Sequence, residues 1–378
     1  MGGSRISPTK IIMGALQWGI GVELTDDADG NVWRLLHLMD GSRSTAEIVA
    51  AMLAERPGLD ADSVTLAIGS LIEAGFVEDA AAPPPAELSP EELERYERSR
   101  QYYAWIDRAP RPSPWEVQRR LKGAKVCVLG LGGSGSAVAA GLTAGGVGVL
   151  TCVDHDTVSV SNLNRTLLYA EADVGSPKVD VAVRRLRGLN KHVEVRGVDL
   201  RVTRSEDLDV LMRTHDLVVL CADEPRHKIP FWVNDAALRT GTPWQLCLYA
   251  GPMVVTGIFV PGRSACWACI PGSDGGFPGV GEVELLGDNG PNAVIAPSAN
   301  LTGHTGALLA TYFLTGLPVQ AVGRVFHHSL TSVENSYFVE PQPGRCDVCG
   351  MTGGRREPQP APQAASAAAS QVAGSVPT

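Results

Sequence analysis

The sequence lacks three features that would place it in other classes of protein. It contains no apolar run near the roughly 18 residues that a membrane span needs, and its N-terminus lacks the charged, apolar and small-residue layout of a signal peptide. It has no basic run and a formal net charge of −9, whereas nucleic-acid-binding domains usually carry clustered Lys and Arg. We therefore expect a cytoplasmic protein that binds neither membrane nor nucleic acid.

The composition suits a folded chain of about two domains. Of the 378 residues, 44% are hydrophobic and 19% are charged, so a sizeable core is possible. Four of the eight cysteines lie in apolar, strand-like runs and are expected to pack as small hydrophobes: Cys127, Cys152, Cys221 and Cys247. The other four form two CxxC pairs.

A glycine-rich turn between two apolar runs is the motif around which the chain is organised. Its glycines are Gly130, Gly132, Gly133 and Gly135. The pattern predicts a strand, a tight turn, a helix and a second strand that ends at Asp154. Glycines allow the backbone to approach a phosphate at the helix N-terminus, and an acid at the second strand's tip suits ribose hydroxyls. The turn predicts a nucleotide, but it fits NAD as well as ATP.

Strand and helix patterns alternate beyond this turn. Residues 193–198 and 216–221 are predicted strands, with a helix entered at Lys178 and another over residues 226–239. Such alternation indicates a Rossmann-like, doubly wound and mostly parallel α/β sheet with helices on both faces.

Three charged residues favour ATP over a nicotinamide cofactor. An enzyme that breaks a triphosphate must neutralise more charge than one that binds a pyrophosphate, and it must hold magnesium. Arg165 and Lys178 follow the second strand and can reach phosphates above the strand ends. Asp223, at the tip of a later strand, can hold magnesium. We expect attack on the α-phosphate, with the cations spreading the developing charge.

The two CxxC pairs predict a structural zinc site. Cys266 and Cys269 form one pair, and Cys346 and Cys349 form the other. Four thiolates suit tetrahedral zinc with no open position; redox-active pairs are the alternative. The fold must bring the two distant pairs together.

The N-terminal segment has its own pattern. Strand candidates at residues 15–19 and 22–24 precede three helix patterns, which predicts a small winged-helix-like α+β domain. A generic helical domain or a dimerisation arm would have a similar pattern. DNA binding is disfavoured because the segment is acidic and offers no basic recognition helix.

The nucleotide-binding part resembles the ThiF/MoeB/HesA adenylyltransferases, which are related to ubiquitin-activating enzymes. The resemblance covers residues 99–350 and is carried by five motifs: Gly130-x-Gly132-Gly133-x-Gly135, Asp154-x-Asp156, Ser161-Asn162-Leu163-Asn164-Arg165, Gly175-x-Pro177-Lys178 and Cys221-x-Asp223. It implies that Asp154 binds ribose, that Arg165 and Lys178 bind the triphosphate, and that Asp223 binds magnesium. It also places Asp156 and Asn162 among the nucleotide-binding residues.

Further features of that family bear on this chain. Ser99-Arg100-Gln101 is similar to an element whose arginine crosses a homodimer interface onto the partner's ATP, so the resemblance implies a homodimer in which Arg100 is catalytic. The family carries the same two-pair cysteine pattern. Two residues depart from the family, because Asn164 replaces a frequent Gln and Glu224 stands where Asn is common.

The N-terminal segment resembles PqqD-type domains, which recognise leader peptides of ribosomally made, modified peptides. The resemblance is carried by Asp40-Gly41, Thr45-x-Glu47-Ile48 and Leu71-x-x-x-Gly75-Phe76-Val77. In that family the leader adds as a strand to the edge of the small sheet. We predict a peptide-binding domain at residues 1–82, a linker at 83–98, an adenylation domain at 99–350 and a disordered tail at 351–378.

These features lead to one function with alternatives. The leading hypothesis is ATP-dependent adenylation of a carboxylate on a ribosomally made precursor peptide. The alternatives are adenylation of the C-terminal glycine of a ubiquitin-like sulfur carrier, or a non-catalytic leader-binding partner of a cyclodehydratase. Members of the resembled family that pass the activated carboxyl to a catalytic cysteine keep that thiol in the crossover loop or in an added domain. Residues 271–297 contain no cysteine, so the resemblance implies that the adenylate meets an amine, amide or thiol nucleophile directly.

Overall fold

The computed structural model describes residues 2–14, 21–107, 109, 111–225, 228–272, 293–332 and 336–353. The described residues up to Arg119 form one compact unit, and those from Arg120 onward form another. None of the helices in these ranges combines the length and the apolar character that crossing a membrane requires.

The first unit contains an antiparallel sheet and helices that follow it. Its strands, in the order β1-β2-β3, are β1 (Gly3–Ser7), β2 (Lys10–Met13) and β3 (Val22–Thr25). Its helices are α1 (Asn31–Leu38), α2 (Thr45–Glu55), α3 (Ala61–Glu73) and α4 (Pro90–Ile106). The predicted winged-helix-like α+β arrangement is therefore present.

Local signals fix where these helices begin. A reciprocal capping box between Ser44 and Glu47 begins α2, and the Asp60 carboxylate accepts a hydrogen bond of 2.8 Å from the Ser63 amide at the start of α3. The apolar side chains on the inner faces of α1, α2 and α3 then form one core with β2 and β3.

Two features of this unit differ from the expectation. Strands β1 and β2 were not predicted: β1 has no buried side chain, so its sequence shows no apolar alternation. The expected strand at residues 15–19 lies outside the described residues. Helix α4 lies where the composition of residues 91–106 favours a helix, and it overlaps the second half of the 83–98 range. The domain ranges given above stay predictions.

The second unit follows helix α5 (Glu116–Gly123), which spans the boundary between the units. Its helices are α6 (Gly133–Gly145), α7 (Lys178–Leu189), α8 (Asp209–Thr214), α9 (Ile229–Thr240) and α10 (Ala296–Thr315). Its strands are β4 (Lys125–Leu129), β5 (Val149–Asp154), β6 (Glu194–Asp199), β7 (Leu217–Leu220), β8 (Trp244–Tyr249), β9 (Met253–Phe259), β10 (Val325–Ser329), β11 (Ser336–Val339), β12 (Gly344–Arg345) and β13 (Thr352–Gly353).

Eight of these strands form a single sheet in the order β11-β10-β9-β8-β7-β4-β5-β6. The five from β8 to β6 are parallel to their neighbours, whereas β9, β10 and β11 join in antiparallel register. The glycine turn leaves the end of β4, so it lies in the middle of the parallel part. The predicted doubly wound, mostly parallel sheet is confirmed.

Both faces of this sheet are buried, which explains the unbroken apolar runs in the sequence. On β4, Val126 and Val128 join a core on one face, while Cys127 and Leu129 join a second core on the other. A parallel strand that is buried on both faces has no polar alternation. Cys127, Cys152, Cys221 and Cys247 are all buried in these cores, as expected.

Because the sheet is buried, we expect that shortening a buried side chain leaves a cavity and lowers the free energy of unfolding. Leu150 on β5 is fully buried, whereas Leu167 is 74% exposed. We expect Leu150→Ala to lower the free energy of unfolding by roughly 2–5 kcal/mol, measured by urea denaturation, and Leu167→Ala to change it by less than about 0.5 kcal/mol. Equal losses in the two variants would contradict this packing.

Candidate functional site

The glycine turn has a shape that only glycine permits at two positions. Gly130 has φ +94°, and a Cβ there would lie 2.5 Å from the Ala222 nitrogen. A Cβ on Gly135 would lie 1.8 Å from the Gly130 carbonyl oxygen. Helix α6 starts directly after this turn, and Gly132 and Gly133 line a cavity. The helix N-terminus therefore faces the cavity in the way that suits an anion.

Asp154, at the end of β5, connects the turn to the following segment. Its Oδ2 accepts a hydrogen bond of 2.7 Å from the Leu131 amide, and its Oδ1 accepts one of 2.9 Å from the Asp156 amide. The Lys178 Nζ lies 2.8 Å from Asp156 Oδ2 and 4.0 Å from Asp154 Oδ2. Burial raises the pKa of Asp156, but the hydrogen bond and charge of Lys178, together with the charges of His155 and Arg201, lower it below its usual value.

The Ser161-to-Arg165 motif holds a second cation at the cavity. Arg165 Nη1 donates to the Ser161 carbonyl at 2.7 Å, while Arg165 Nε is buried without a partner among the described residues. Asn162 is buried, and its Oδ1 accepts a hydrogen bond of 3.1 Å from the Ser159 amide. The side chain of Asn164 donates to the Val294 carbonyl at 3.3 Å. Asn162 therefore braces the turn that presents Arg165.

Asp223 lies just beyond β7, on the opposite side of the glycine turn from Asp154. It is exposed and lines the cavity, so its carboxylate is available to a cation. Tyr249, the last residue of β8, lines the same side and makes a hydrogen-bonding contact with Arg165. Burial raises the pKa of the Tyr249 hydroxyl. The charge of Arg165 lowers this pKa and the charge of Asp223 raises it, and the resulting pKa lies above its usual value. The Tyr249 hydroxyl therefore stays protonated at neutral pH.

A single cavity of about 1050 Å³ brings most of the expected nucleotide-binding residues together. Those that line it are Gly130, Gly132, Gly133, Asp154, Asp156, Asn162, Arg165, Lys178 and Asp223. Gly135 does not line the cavity. Its lack of a side chain allows it to pack against the Gly130 carbonyl within the turn. Two cations (Arg165 and Lys178), three acids (Asp154, Asp156 and Asp223) and a helix N-terminus thus surround one space, which can hold a polyphosphate.

Arg100 belongs to the N-terminal unit rather than to the unit that carries the cavity. On α4 its guanidinium binds Glu97 at 2.8 Å and Glu78 at 3.0 Å, and it lies 5.6 Å from the centre of the Trp115 ring. The catalytic role of Arg100 stays a prediction.

The four cysteines of the two CxxC pairs converge as expected. Their sulfur atoms all lie within 4.8 Å of one another, with 3.8 Å from Cys266 to Cys269 and 3.6 Å from Cys269 to Cys349. Four thiolates at about 2.3 Å from a tetrahedral zinc ion lie about 3.8 Å apart. The Cys346–Cys349 pair lies between β12 and β13, which pair with each other. The residues present therefore fit zinc.

Sequence reasoning missed the aromatic part of the cavity. Trp232 on α9, Tyr249 on β8 and Trp267 beside the first cysteine pair all line it. The apolar pattern of the sequence predicts a strand over residues 244–248, which ends one residue before Tyr249. The position of Tyr249 at the carboxyl end of a strand could have placed it at the cavity, because residues at the carboxyl ends of parallel strands meet at one edge of the sheet.

Residues 99–348 match the ThiF family, which is about two thirds of the chain. The chain belongs to the ThiF family. The family that the motifs predicted is therefore confirmed, whereas the PqqD-like resemblance of the N-terminal segment lies outside the match and stays a prediction.

Several curated proteins are similar to this chain along the same region. The sulfur carrier protein adenylyltransferase of Thermus thermophilus is 32% identical over 280 residues, which are 71% of this chain and 94% of that protein. The molybdopterin-synthase adenylyltransferase of Escherichia coli is 30% identical over 282 residues, which are 70% of this chain and 100% of that protein.

Solved structures show the same fold over more of the chain. E. coli MccB, solved with ATP, has a TM-score of 0.71 and 23% identity, and the match covers 92% of this chain and 97% of that one. PaaA has a TM-score of 0.69 and 23% identity, with 89% and 97% covered. At this identity the likeness concerns the fold alone.

The glycine geometry predicts a specific loss of nucleotide binding. Gly135→Ala forces the turn to move, and losing one hydrogen bond to a charged phosphate weakens binding about tenfold. Gly188→Ala on α7 is the matched control, because its Cβ would meet nothing within 4 Å. Titration calorimetry with a non-hydrolysable ATP analogue measures both. Equal affinities would contradict the role of the turn.

The sulfur geometry predicts that zinc content depends on each cysteine of the cluster. We expect Cys266→Ser to reduce zinc from about one ion per chain to almost none and to lower the melting temperature. Cys152→Ala, in the core, should keep its zinc. Elemental analysis of the purified chain gives the metal content. Full zinc retention by Cys266→Ser would contradict the site.

Proposed function

We propose that this chain is an ATP-dependent adenylyltransferase that activates a carboxylate of a ribosomally made precursor peptide. The observation that carries the proposal is the cavity in which Arg165, Lys178 and Asp223 face the glycine turn. An enzyme that binds a nicotinamide cofactor would have no use for Arg165, Lys178 or the four-cysteine cluster.

The proposed reaction transfers AMP to the peptide. A carboxylate oxygen attacks the α-phosphorus of ATP, the bond from that phosphorus to the bridging oxygen breaks, and pyrophosphate leaves. Arg165 and Lys178 offset the charge that develops on the phosphoryl oxygens. Lys178 is 7% exposed and is oriented by Asp156, so its ammonium is fixed before the nucleotide enters. Asp154 orients the ribose.

Two metals fit the residues present. Asp223 would hold magnesium, because it offers an exposed carboxylate beside the phosphate space. Magnesium supplies charge neutralisation to the phosphates when it is bound. Zinc would be held by the four cysteines, a set with no open position, so its contribution is structural.

A peptide substrate is favoured by the N-terminal unit. The sequence matches to the two curated adenylyltransferases cover about 70% of this chain. The structural match to E. coli MccB covers 92% of it. MccB has been solved in complex with MccA. The small sheet of the N-terminal unit suits recognition of an extended peptide by strand addition.

The second candidate keeps the chemistry and changes the substrate to a sulfur-carrier protein ending in Gly-Gly. It is favoured by the relatives in Thermus thermophilus and E. coli, which are 32% and 30% identical and are named for sulfur-carrier and molybdopterin-synthase adenylylation. We propose in both cases a homodimer in which Arg100 reaches the partner's nucleotide, which requires Arg100 to exchange its contacts with Glu78 and Glu97.

Pyrophosphate exchange tests this function. We expect exchange of labelled pyrophosphate into ATP only when a cognate peptide is present, with a loss of about a hundredfold in Asp223→Ala. Asp180→Ala, an exposed acid on α7, is the matched control and should exchange normally. Exchange that responds to a Gly-Gly carrier protein and to no peptide would support the second candidate instead.

A further inference from the structure

The glycine turn divides the cavity into two sides, because it leaves β4 in the middle of the parallel strands. On the side of β5 and β6 lie Asp154 and the segment 200–203 that follows β6. On the side of β7 and β8 lie Asp223 and Tyr249. If the ribose is bound by Asp154, the base lies toward β6, and the side of β7 and β8 is left for the second substrate.

The side of β7 and β8 carries a group of apolar and aromatic residues next to the acids Asp223 and Glu224. We call it the acyl chamber and define it by Ile229, Pro230, Trp232, Leu248, Tyr249 and Trp267. The whole cavity, at about 1050 Å³, is at the upper limit of roughly 300–1,000 Å³ for ligand pockets. The chamber therefore offers apolar space in addition to that for a nucleotide.

The far wall of the chamber is held rigidly. Trp267 packs edge-on against Trp244 and Phe259, with ring centres 6.5 Å and 6.0 Å away. Its backbone amide donates to the Asn234 side chain at 3.0 Å. Its indole nitrogen is buried without a partner among the described residues, so it is available as a donor. The wall is thus preformed and needs no rearrangement to accept a side chain.

The mouth of the chamber toward the phosphates is polar. The Tyr249 hydroxyl contacts the Arg165 guanidinium, whose buried Nε has no partner among the described residues. A neutral hydroxyl donor beside a guanidinium is suited to hold a carboxylate. A residue bound here would direct its carboxylate to the phosphate side and its side chain into the chamber.

We propose that the acyl chamber binds the C-terminal residue of the peptide substrate and that this residue has a large apolar or aromatic side chain. The proposal rests on the adenylation function above and narrows its substrate class. An apolar residue has no side-chain carboxyl, so the activated group is the C-terminal α-carboxylate. A chain that ends in Gly-Gly would leave the walls unfilled, and burial of a Phe-sized side chain is worth about ten- to a hundredfold in affinity.

Two short peptides test the chamber on the full-length protein. N-acetyl-Ala-Ala-Gly-Phe and N-acetyl-Ala-Ala-Gly-Gly differ only in the terminal side chain, and each is titrated by calorimetry in the presence of a non-hydrolysable ATP analogue. We expect the Phe peptide to bind at least about tenfold more tightly. Its C-terminal amide should lose most of this affinity, because the carboxylate is then absent.

Substitutions of residues that line the acyl chamber test whether its walls cause the preference for the Phe peptide. Trp232→Ala should reduce the preference for Phe to about twofold or less while leaving affinity for the ATP analogue unchanged. Tyr249→Phe should weaken both peptides about tenfold through loss of the carboxylate contact. Tyr337→Phe is the matched control, because Tyr337 is 48% exposed on the edge strand β11, and it should behave as the parent.

The outcomes separate the two proposals. The proposed role of the acyl chamber is contradicted if the Gly peptide binds more tightly than the Phe peptide or if the two bind equally. It is also contradicted if neither peptide binds while the ATP analogue binds normally. A clear preference for Phe, together with no pyrophosphate exchange for any peptide, would contradict the proposed function and support the chamber.

Discussion

The carboxylate of Asp154 accepts one hydrogen bond from the Leu131 amide in the glycine turn and another from the Asp156 amide. Because Asp154 is buried at the end of β5, these bonds cannot be exchanged for water without a large cost. They join the turn to the segment that carries Asp156, and Asp156 in turn orients the Lys178 ammonium. One buried acid thereby fixes both the helix N-terminus and a cation at the phosphate space.

The parallel sheet determines how the remaining groups meet. The ends of five neighbouring strands point to one edge. Asp154 and Tyr249 are the last residues of two of these strands, and Asp223 lies just beyond a third. Since the glycine turn is central, it separates the side of Asp154 from the side of Tyr249 and the tryptophans. The same topology that forms the phosphate side of the cavity therefore supplies an adjoining space with apolar walls, which we propose binds the second substrate.

The N-terminal unit is the part of the chain to which we assign substrate choice in the proposed function. Its helices are fixed by local caps and its core is separate from the two cores of the sheet. Arg100 is the residue of this unit that the family resemblance links to catalysis, and its contacts with Glu97 and Glu78 are ion pairs at a partly exposed position. Such pairs are weak enough to be exchanged for a phosphate.

The sequence by itself determined the family, the doubly wound sheet and the charged and glycine residues of the cavity that were expected to bind the nucleotide. Those residues stand in short motifs at the ends of strongly apolar strands, where local pattern and chemistry agree; α7 begins at Lys178 as expected. Only the tertiary structure decided that Tyr249 meets Arg165, that Trp267 walls the cavity, and that four cysteines separated by up to 83 positions converge within 4.8 Å. Such contacts join residues far apart in the chain, and packing of the sheet and its helices sets their distances.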